Sequence, residues 1–270
     1  MIPKILHFTW LVPTEGREFN IHHMASVRSA HFYNPDFKIR FHCNELPKGS
    51  YFENIKDIVE VNFVDTPEEV FGVPIKYMAH KADVLRLRIL IEEGGAYQDP
   101  DVITMRPYED LLNNDVCLGY ELSPKLSYRQ IFYFIRTFNF DVIKYKFRIP
   151  VGLCSGFIMA EKKSNFITDW YEGFRDFNSE DWAYYGVKLP YLMYKSGKYN
   201  IHTIGPYQAH FPSCAPEDLK IIFEKTLVIK GKWFLHTWES KSYQTYLMPL
   251  TKEKILAADN TYCNAIKKFI

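Results

Sequence analysis

Two carboxylates stand one residue apart at Asp99 and Asp101, directly after the run Gly94-Gly95-Ala96-Tyr97-Gln98. In an extended strand, side chains alternate, so Tyr97, Asp99 and Asp101 are expected on one side and Ala96, Gln98 and Pro100 on the other. Pro100 keeps Asp99 out of helical geometry and removes a ladder donor, which suits a strand end or edge. Two hard oxygen ligands projecting together can hold Mg²⁺ or Mn²⁺ and leave coordination positions open for phosphate oxygens. An isolated Asp-x-Asp is a weak signal, because most such triplets are solvated turns.

The element that must deliver this pair precedes it. Val84, Leu87 and Ile91 fall at i, i+3 and i+7, with Leu85 and Ile89 beside them, which predicts a core-facing helix from about Lys81. Gly94 and Gly95 end it, because glycine tolerates the left-handed backbone of a helix C-cap. Asp83 and Arg86 are three apart and share one face, so a local ion pair is their plainest reading.

Taken together, Ala82-Asp83, Arg86, Gly94-Gly95, Tyr97, Asp99 and Asp101 resemble the Asp-x-Asp sugar-transferase family, glycosyltransferase family 32 in type. That family includes yeast-type initiating mannosyltransferases, animal α-galactosyl and α-N-acetylglucosaminyl transferases and bacterial capsule enzymes. The glucosylating domains of clostridial toxins are more distant relatives. Those toxin domains begin with a similar Leu-His-Phe-x-Trp, whose tryptophan stacks on uracil; here the match is Leu6 to Trp10, and the resemblance implies a nucleotide contact at Thr9 and Trp10. Without it, Trp10 reads as a core residue. Relatives close their catalytic domain with a His-x-Trp-x-x-Ser-like segment, in whose place stand His236, Thr237, Trp238, Glu239, Ser240 and Ser242. The resemblance therefore places His236 on the metal with Asp99 and Asp101. It places Trp238 and Ser240 beside the diphosphate, and Asp83, Arg86 and Tyr97 beside the donor. Around Cys154 and Ser155 the family usually carries an Asn-Gly or Asn-Ala contact, so this chain departs from the pattern there.

Further elements are read from pattern. Strands are expected over 4–11, with Leu6, Phe8 and Trp10 on one face and Thr9 opposite, and over 37–43, 59–65, 116–122 and 151–161. Helices are expected over 21–33, 107–112, 165–177 and from Thr251 to Ile270. Gly205-Pro206 marks a turn. Strands interleaved with helices give an α/β fold, a mainly parallel sheet flanked by helices. The resemblance makes this the GT-A nucleotide-sugar transferase fold, as a single domain over 1–270.

The chain has 270 residues, with 33 Lys plus Arg against 32 Asp plus Glu, a balance that gives no hint of nucleic-acid binding. Its five cysteines, at 43, 117, 154, 214 and 263, show no CxxC or metal-type spacing, and an odd number without a secretory pattern suits reduced thiols in the cytoplasm. No apolar run approaches the ~18 residues of a membrane span. The stretch 124–150 is unusual: Lys125, Arg129, Arg136, Lys144, Lys146 and Arg148 stand against Asp141 alone among the acids, interleaved with aromatic rings. It reads equally as an insertion docking on the inner face of an anionic membrane and as core helices with solvated lysines.

The expectation is a metal-dependent retaining glycosyltransferase. It takes a nucleotide sugar, UDP-linked by preference, with Mn²⁺ or Mg²⁺, and passes the sugar to a glycan or lipid-linked acceptor in bacterial surface polysaccharide synthesis. Asp99, Asp101 and Arg86 carry the chemistry. Three alternatives share these residues: a nucleotide-sugar hydrolase, a toxin-like enzyme acting on protein, and a non-catalytic binding module.

Overall fold

The computed structural model describes residues 1–122, 150–227 and 231–270. Strand β1 (Ile5–Trp10) lies inside a seven-stranded sheet and separates the two larger buried cores of the described residues. Leu6, Phe8 and Trp10 enter one core, under helix α1 (Ile21–Tyr33). His7 and Thr9 point to the other face, towards Gly94 and Tyr97. The alternation expected of this strand is therefore present.

From β1 the chain crosses through α1 to β2 (Lys38–Cys43), passes a short helix α2 (Ser50–Glu53), and reaches β3 (Glu60–Phe63). A small hairpin, β4 (Glu69–Val70) and β5 (Val73–Pro74), leads into α3 (Met78–Glu93), which returns the chain to β6 (Gly95–Gln98) on the opposite side of β1. β1 thus has β2 on one flank and β6 on the other, reached by two separate helical crossovers. Open α/β sheets bind nucleotides at such a reversal of strand order, outside the carboxyl ends of the strands.

After β7 (Val102–Thr104), β8 (Val116–Leu122), β9 (Pro150–Ala160) and β10 (Ile201–Ile204) complete the sheet, in the order β10-β8-β9-β6-β1-β2-β3. Pairings β1–β2, β2–β3, β1–β6 and β8–β10 are parallel. Only β9 runs antiparallel to its neighbours β6 and β8, so the mainly parallel sheet is confirmed. β7 leaves this sheet and pairs antiparallel with β11 (Phe234–His236).

Helix α3 is buried along two stripes, as its apolar spacing requires. Val84, Leu87 and Leu90 pack with Tyr97, Leu118 and Trp170, whereas Leu85 and Ile89 meet Leu11. Three of the expected helices are shorter or broken. The helix expected over 165–177 is α-helical only over Asn165–Glu172 and tightens to a 3₁₀ turn at Gly173–Asp176. The element at 107–112 is a single 3₁₀ turn, Glu109–Leu111. The terminal helix is broken into Lys252–Ala257 and Thr261–Ile266, because Asn260 caps the second piece by accepting from the Cys263 amide. The basic and aromatic stretch 124–150 lies, apart from Pro150, outside the described residues.

Candidate active site

Helix α3 stops where two glycines adopt positive φ, 68° at Gly94 and 101° at Gly95. Both are also tightly enclosed. A Cβ on Gly94 would sit 2.5 Å from the Lys162 amide nitrogen, and one on Gly95 2.6 Å from the Ile5 carbonyl. The glycine pair therefore lets the chain reverse flush against β1 and the end of β9.

Extended pairing ends at Gln98, which corrects the expectation that one strand face presents both carboxylates. Asp99 donates its amide to the Gly156 carbonyl at 2.9 Å, and its own carbonyl accepts from Val102 at 3.0 Å, closing a turn over Asp99–Val102. Asp at the first position and Pro at the second are favoured in such turns. The buried Gln98 amide clamps the turn by donating to the Val102 carbonyl at 2.7 Å, while its oxygen accepts from the Thr104 and Tyr108 hydroxyls.

β11 then supplies the third group. Its register sets His236 opposite Val102, and the Asp101 carbonyl accepts from both the amide and hydroxyl of Thr237. Asp101 Oδ2 accepts from the Glu239 amide at 2.7 Å and faces His236 Nε2 at 3.3 Å. Ligand atoms from Asp99, Asp101 and His236 all lie within 4.8 Å of one another. Gly156 makes room for them: a Cβ there would be 3.1 Å from both Asp99 Oδ2 and His236 Cε1. Two carboxylates and an imidazole form a hard oxygen and nitrogen set that suits Mn²⁺, and Mg²⁺ less closely because of the nitrogen.

Arg86 lies at the centre of the buried charge. Its guanidinium stands 3.3 Å from Asp99 and 3.5 Å from Asp83, donates to the Ser155 carbonyl at 2.6 Å, and lies over the Tyr97 ring at 4.5 Å. Burial disfavours its charge, but Asp99, Tyr97 and Asp83 more than offset this and raise its pKa. Burial pushes the Asp83 carboxyl up despite Arg86. In the Asp101–His236 pair, burial opposes both charges and mutual attraction wins: the carboxyl pKa falls and the imidazole pKa rises. Tyr97 donates to Asp99 Oδ1 at 2.6 Å and is backed by the Thr9 hydroxyl at 2.9 Å.

Other expected contacts sit differently. Trp10 is fully buried, edge-on to Phe19 and His23, with the Arg17 guanidinium 4.0 Å above its ring. A base can stack on it only if Arg17 moves aside. The Trp238 indole N–H is already used, donating to the Pro212 carbonyl at 2.8 Å, and its ring stacks on His236 at 4.0 Å. Ser240 does line the site.

Two cavities meet here. One, about 440 Å³, is lined by Thr9, Arg86, Asp99, Asp101, His236 and Trp238 among others. The other, about 1250 Å³, opens at the carboxyl ends of β1 and β2, between loops 12–20 and 45–51. They share Pro13, Arg17, Glu239 and Ser240, so the Arg17–Glu239 ion pair at 2.7 Å stands between them.

The sequence reading gave no role to Arg17, Glu239, Gln98, Gly156 or Gly186. A Cβ on Gly186 would lie 2.9 Å from Asp83 Oδ2. Glu239 also approaches His22 and His23 closely enough to suggest a second metal centre. The tautomer argues against it. His23 Nδ1 accepts from the Asn20 amide at 2.9 Å, so a neutral ring carries its proton on Nε2 and donates it to Glu239 at 3.0 Å. His23 therefore has no lone pair left for a cation.

The fold is of the GT-A type. Residues 21–118 match the model of the glycosyltransferase sugar-binding region containing the DXD motif. Glucan organizing enzyme 1 of Cryptococcus neoformans var. grubii serotype A is 27% identical over 278 residues, which cover 100% of this chain and 71% of that protein. Among solved structures, the glycosyltransferase GlyE of Streptococcus pneumoniae TIGR4 shares the fold, with a TM-score of 0.52 at 11% identity; the match covers 100% of this chain and 60% of GlyE.

Proposed function

We propose that this chain is a divalent-metal-dependent, retaining glycosyltransferase that moves a sugar from a nucleotide sugar to a glycan or lipid-linked acceptor. The observation that carries this is the convergence of Asp99, Asp101 and His236 on one point, in a cavity joined to the crevice at the ends of β1 and β2. That crevice has the place in the fold, and the volume, for a nucleoside. UDP is favoured because of the motif match at Trp10. A divalent cation held by the three ligands would supply Lewis-acid stabilisation of the departing diphosphate.

The protein's own groups account for the rest. Arg86 remains charged through burial against Asp83 and Asp99, so it presents a fixed positive charge to the oxygen-rich donor. Ser155 donates to Asp83 Oδ1 at 3.1 Å and keeps that carboxylate oriented. Arg17 can exchange its Glu239 partner for a phosphate oxygen, since guanidinium binds both equally readily. No protein group is assigned as nucleophile or base, in keeping with front-face attack in the retaining members of the family.

The fungal relative's name concerns glucan, which favours a polysaccharide acceptor over a protein. Among the described residues no helix is long and apolar enough to cross a membrane. Peripheral docking through 124–150 is the corresponding proposal. Flotation with anionic vesicles should carry the protein upward, and removing its six cations should abolish this.

The central experiment is turnover with a panel of nucleotide sugars, Mn²⁺ and oligosaccharide acceptors, with transferred and free sugar measured separately. Metal-stimulated transfer that vanishes in Asp101→Ala is expected. Release of free sugar alone would make the chain a hydrolase, and no turnover with any donor would overturn the proposal.

A further inference from the structure

Behind the metal-facing histidine lies a second one that the reading above does not use. His210 is wholly buried, and its Nδ1 lies 3.2 Å from Nδ1 of His236. Its seat is specific. The ring packs on Phe234 at 4.9 Å between centroids, and β8 approaches so closely that a Cβ on Gly119 would meet His210 Cδ2 at 2.8 Å and Nε2 at 2.9 Å. His236 is held from the other side by Trp238, stacked at 17° between planes. Neither ring can turn away without disturbing packed neighbours.

Two nitrogens at this separation share one proton, and its position decides what His236 can do. If His210 donates, the neutral His236 ring must carry its proton on Nε2, aimed at Asp101, and has no lone pair for a cation. If His236 donates, Nε2 is a bare lone pair 3.3 Å from Asp101 Oδ2, an arrangement that is repulsive unless a cation lies between them. Metal-ligating histidines depend on such an acceptor behind the ring to fix the tautomer.

Resting on the metal reading of the site, we infer that His210 is a positioning residue that accepts the Nδ1–H of His236 and thereby keeps its Nε2 lone pair directed at the Asp99 and Asp101 carboxylates. The residue acts on metal affinity through His236 and touches no substrate.

The test is manganese titration of metal-free, donor-free protein, following free Mn²⁺ by electron paramagnetic resonance. His210→Phe fills the seat without an acceptor and should weaken binding by about 10- to 100-fold. Its melting temperature without metal should stay at or above that of the wild type. His210→Gln restores an acceptor and should recover most of the affinity. Equal binding by His210→Phe and wild type, or equal loss in both variants, overturns the inference. Nitrogen-15 spectra of the Mg²⁺-loaded wild type test it without any substitution: His236 should carry its proton on Nδ1, and a proton on Nε2 overturns it. Wild-type protein that takes up no manganese removes the metal reading and this inference with it, whereas normal wild-type binding with an unaffected His210→Phe removes the inference alone.

Discussion

Asp99 and Asp101 are fixed by different means, and substitutions should separate them. Asp101 is tied through backbone groups, its carboxylate to the Glu239 amide and its carbonyl to Thr237. The Asp99 carboxylate is held by side chains, the Tyr97 hydroxyl and the Arg86 guanidinium. Tyr97→Phe should therefore weaken manganese binding by about 10-fold through Asp99 alone, while also leaving Thr9 Oγ1 without its partner; calorimetric titration measures this. Gly186→Ala probes the neighbouring donor pocket, because the new methyl would press on the buried Asp83 carboxylate. The donor KM should rise several-fold with little change in manganese affinity, and a KM equal to wild type would show that Asp83 does not meet the donor. That Asp99 and Asp101 belong together was legible from chemical type and spacing, and the company of Asp83 and Tyr97 from the family resemblance. The turn holding them was not, because Pro100 suits a strand end and a turn equally well.

At the level of elements, a chain of buried rings ties three strands to the end of α3. Asn62 on β3 donates to His42 Nδ1 at 2.9 Å, His42 Nε2 to His7 Nδ1 at 3.0 Å, and His7 Nε2 to the Gly94 carbonyl at 2.9 Å. The order works only with both rings neutral. Burial is the main reason the His7 pKa is lowered to about 4 and that of His42 to about 3, and it likewise lowers His23 to about 3. An unfolded histidine titrates near 6.5, so the unfolded chain binds protons that the native one refuses. Native stability is then complete above about pH 6.5 and is lost as pH falls towards these values, by up to ~1.4 kcal/mol per pH unit for each ring. His236, with its raised pKa, works in the opposite sense but is one ring against four, since burial lowers His210 as well. The melting temperature should fall between pH 6.5 and 5, less steeply in His42→Phe, and a flat profile would refute this account. Strands β1 and β2 were readable from their alternation, and β8 and β9 as short apolar runs. The β7–β11 ribbon was not, since three residues carry no period and its partner lies far along the chain. The break at Asn260 was hidden because a capping residue and a helix-interior polar residue look alike in one sequence.

For the molecule as a whole, a ligand that binds only the native state stabilises it by mass action. Manganese at ~100 times its Kd should add about 2.7 kcal/mol, a rise in melting temperature of several degrees for a chain of this size. Asp101→Ala and His236→Ala should abolish that rise while leaving a folded protein, as followed by scanning calorimetry. The crevice at the carboxyl ends of β1 and β2 follows from strand order, whereas the covering of Trp10 by Arg17 depends on a loop whose path no periodicity encodes. The ribbon joining Asp101 to Thr237 links positions 136 residues apart. During synthesis the first two acidic ligands therefore leave the ribosome long before the imidazole that completes them. On the metal reading proposed above, a nascent chain that has formed only its early strands has no complete ion-binding centre, so tight manganese capture would report that the last third of the polypeptide has docked.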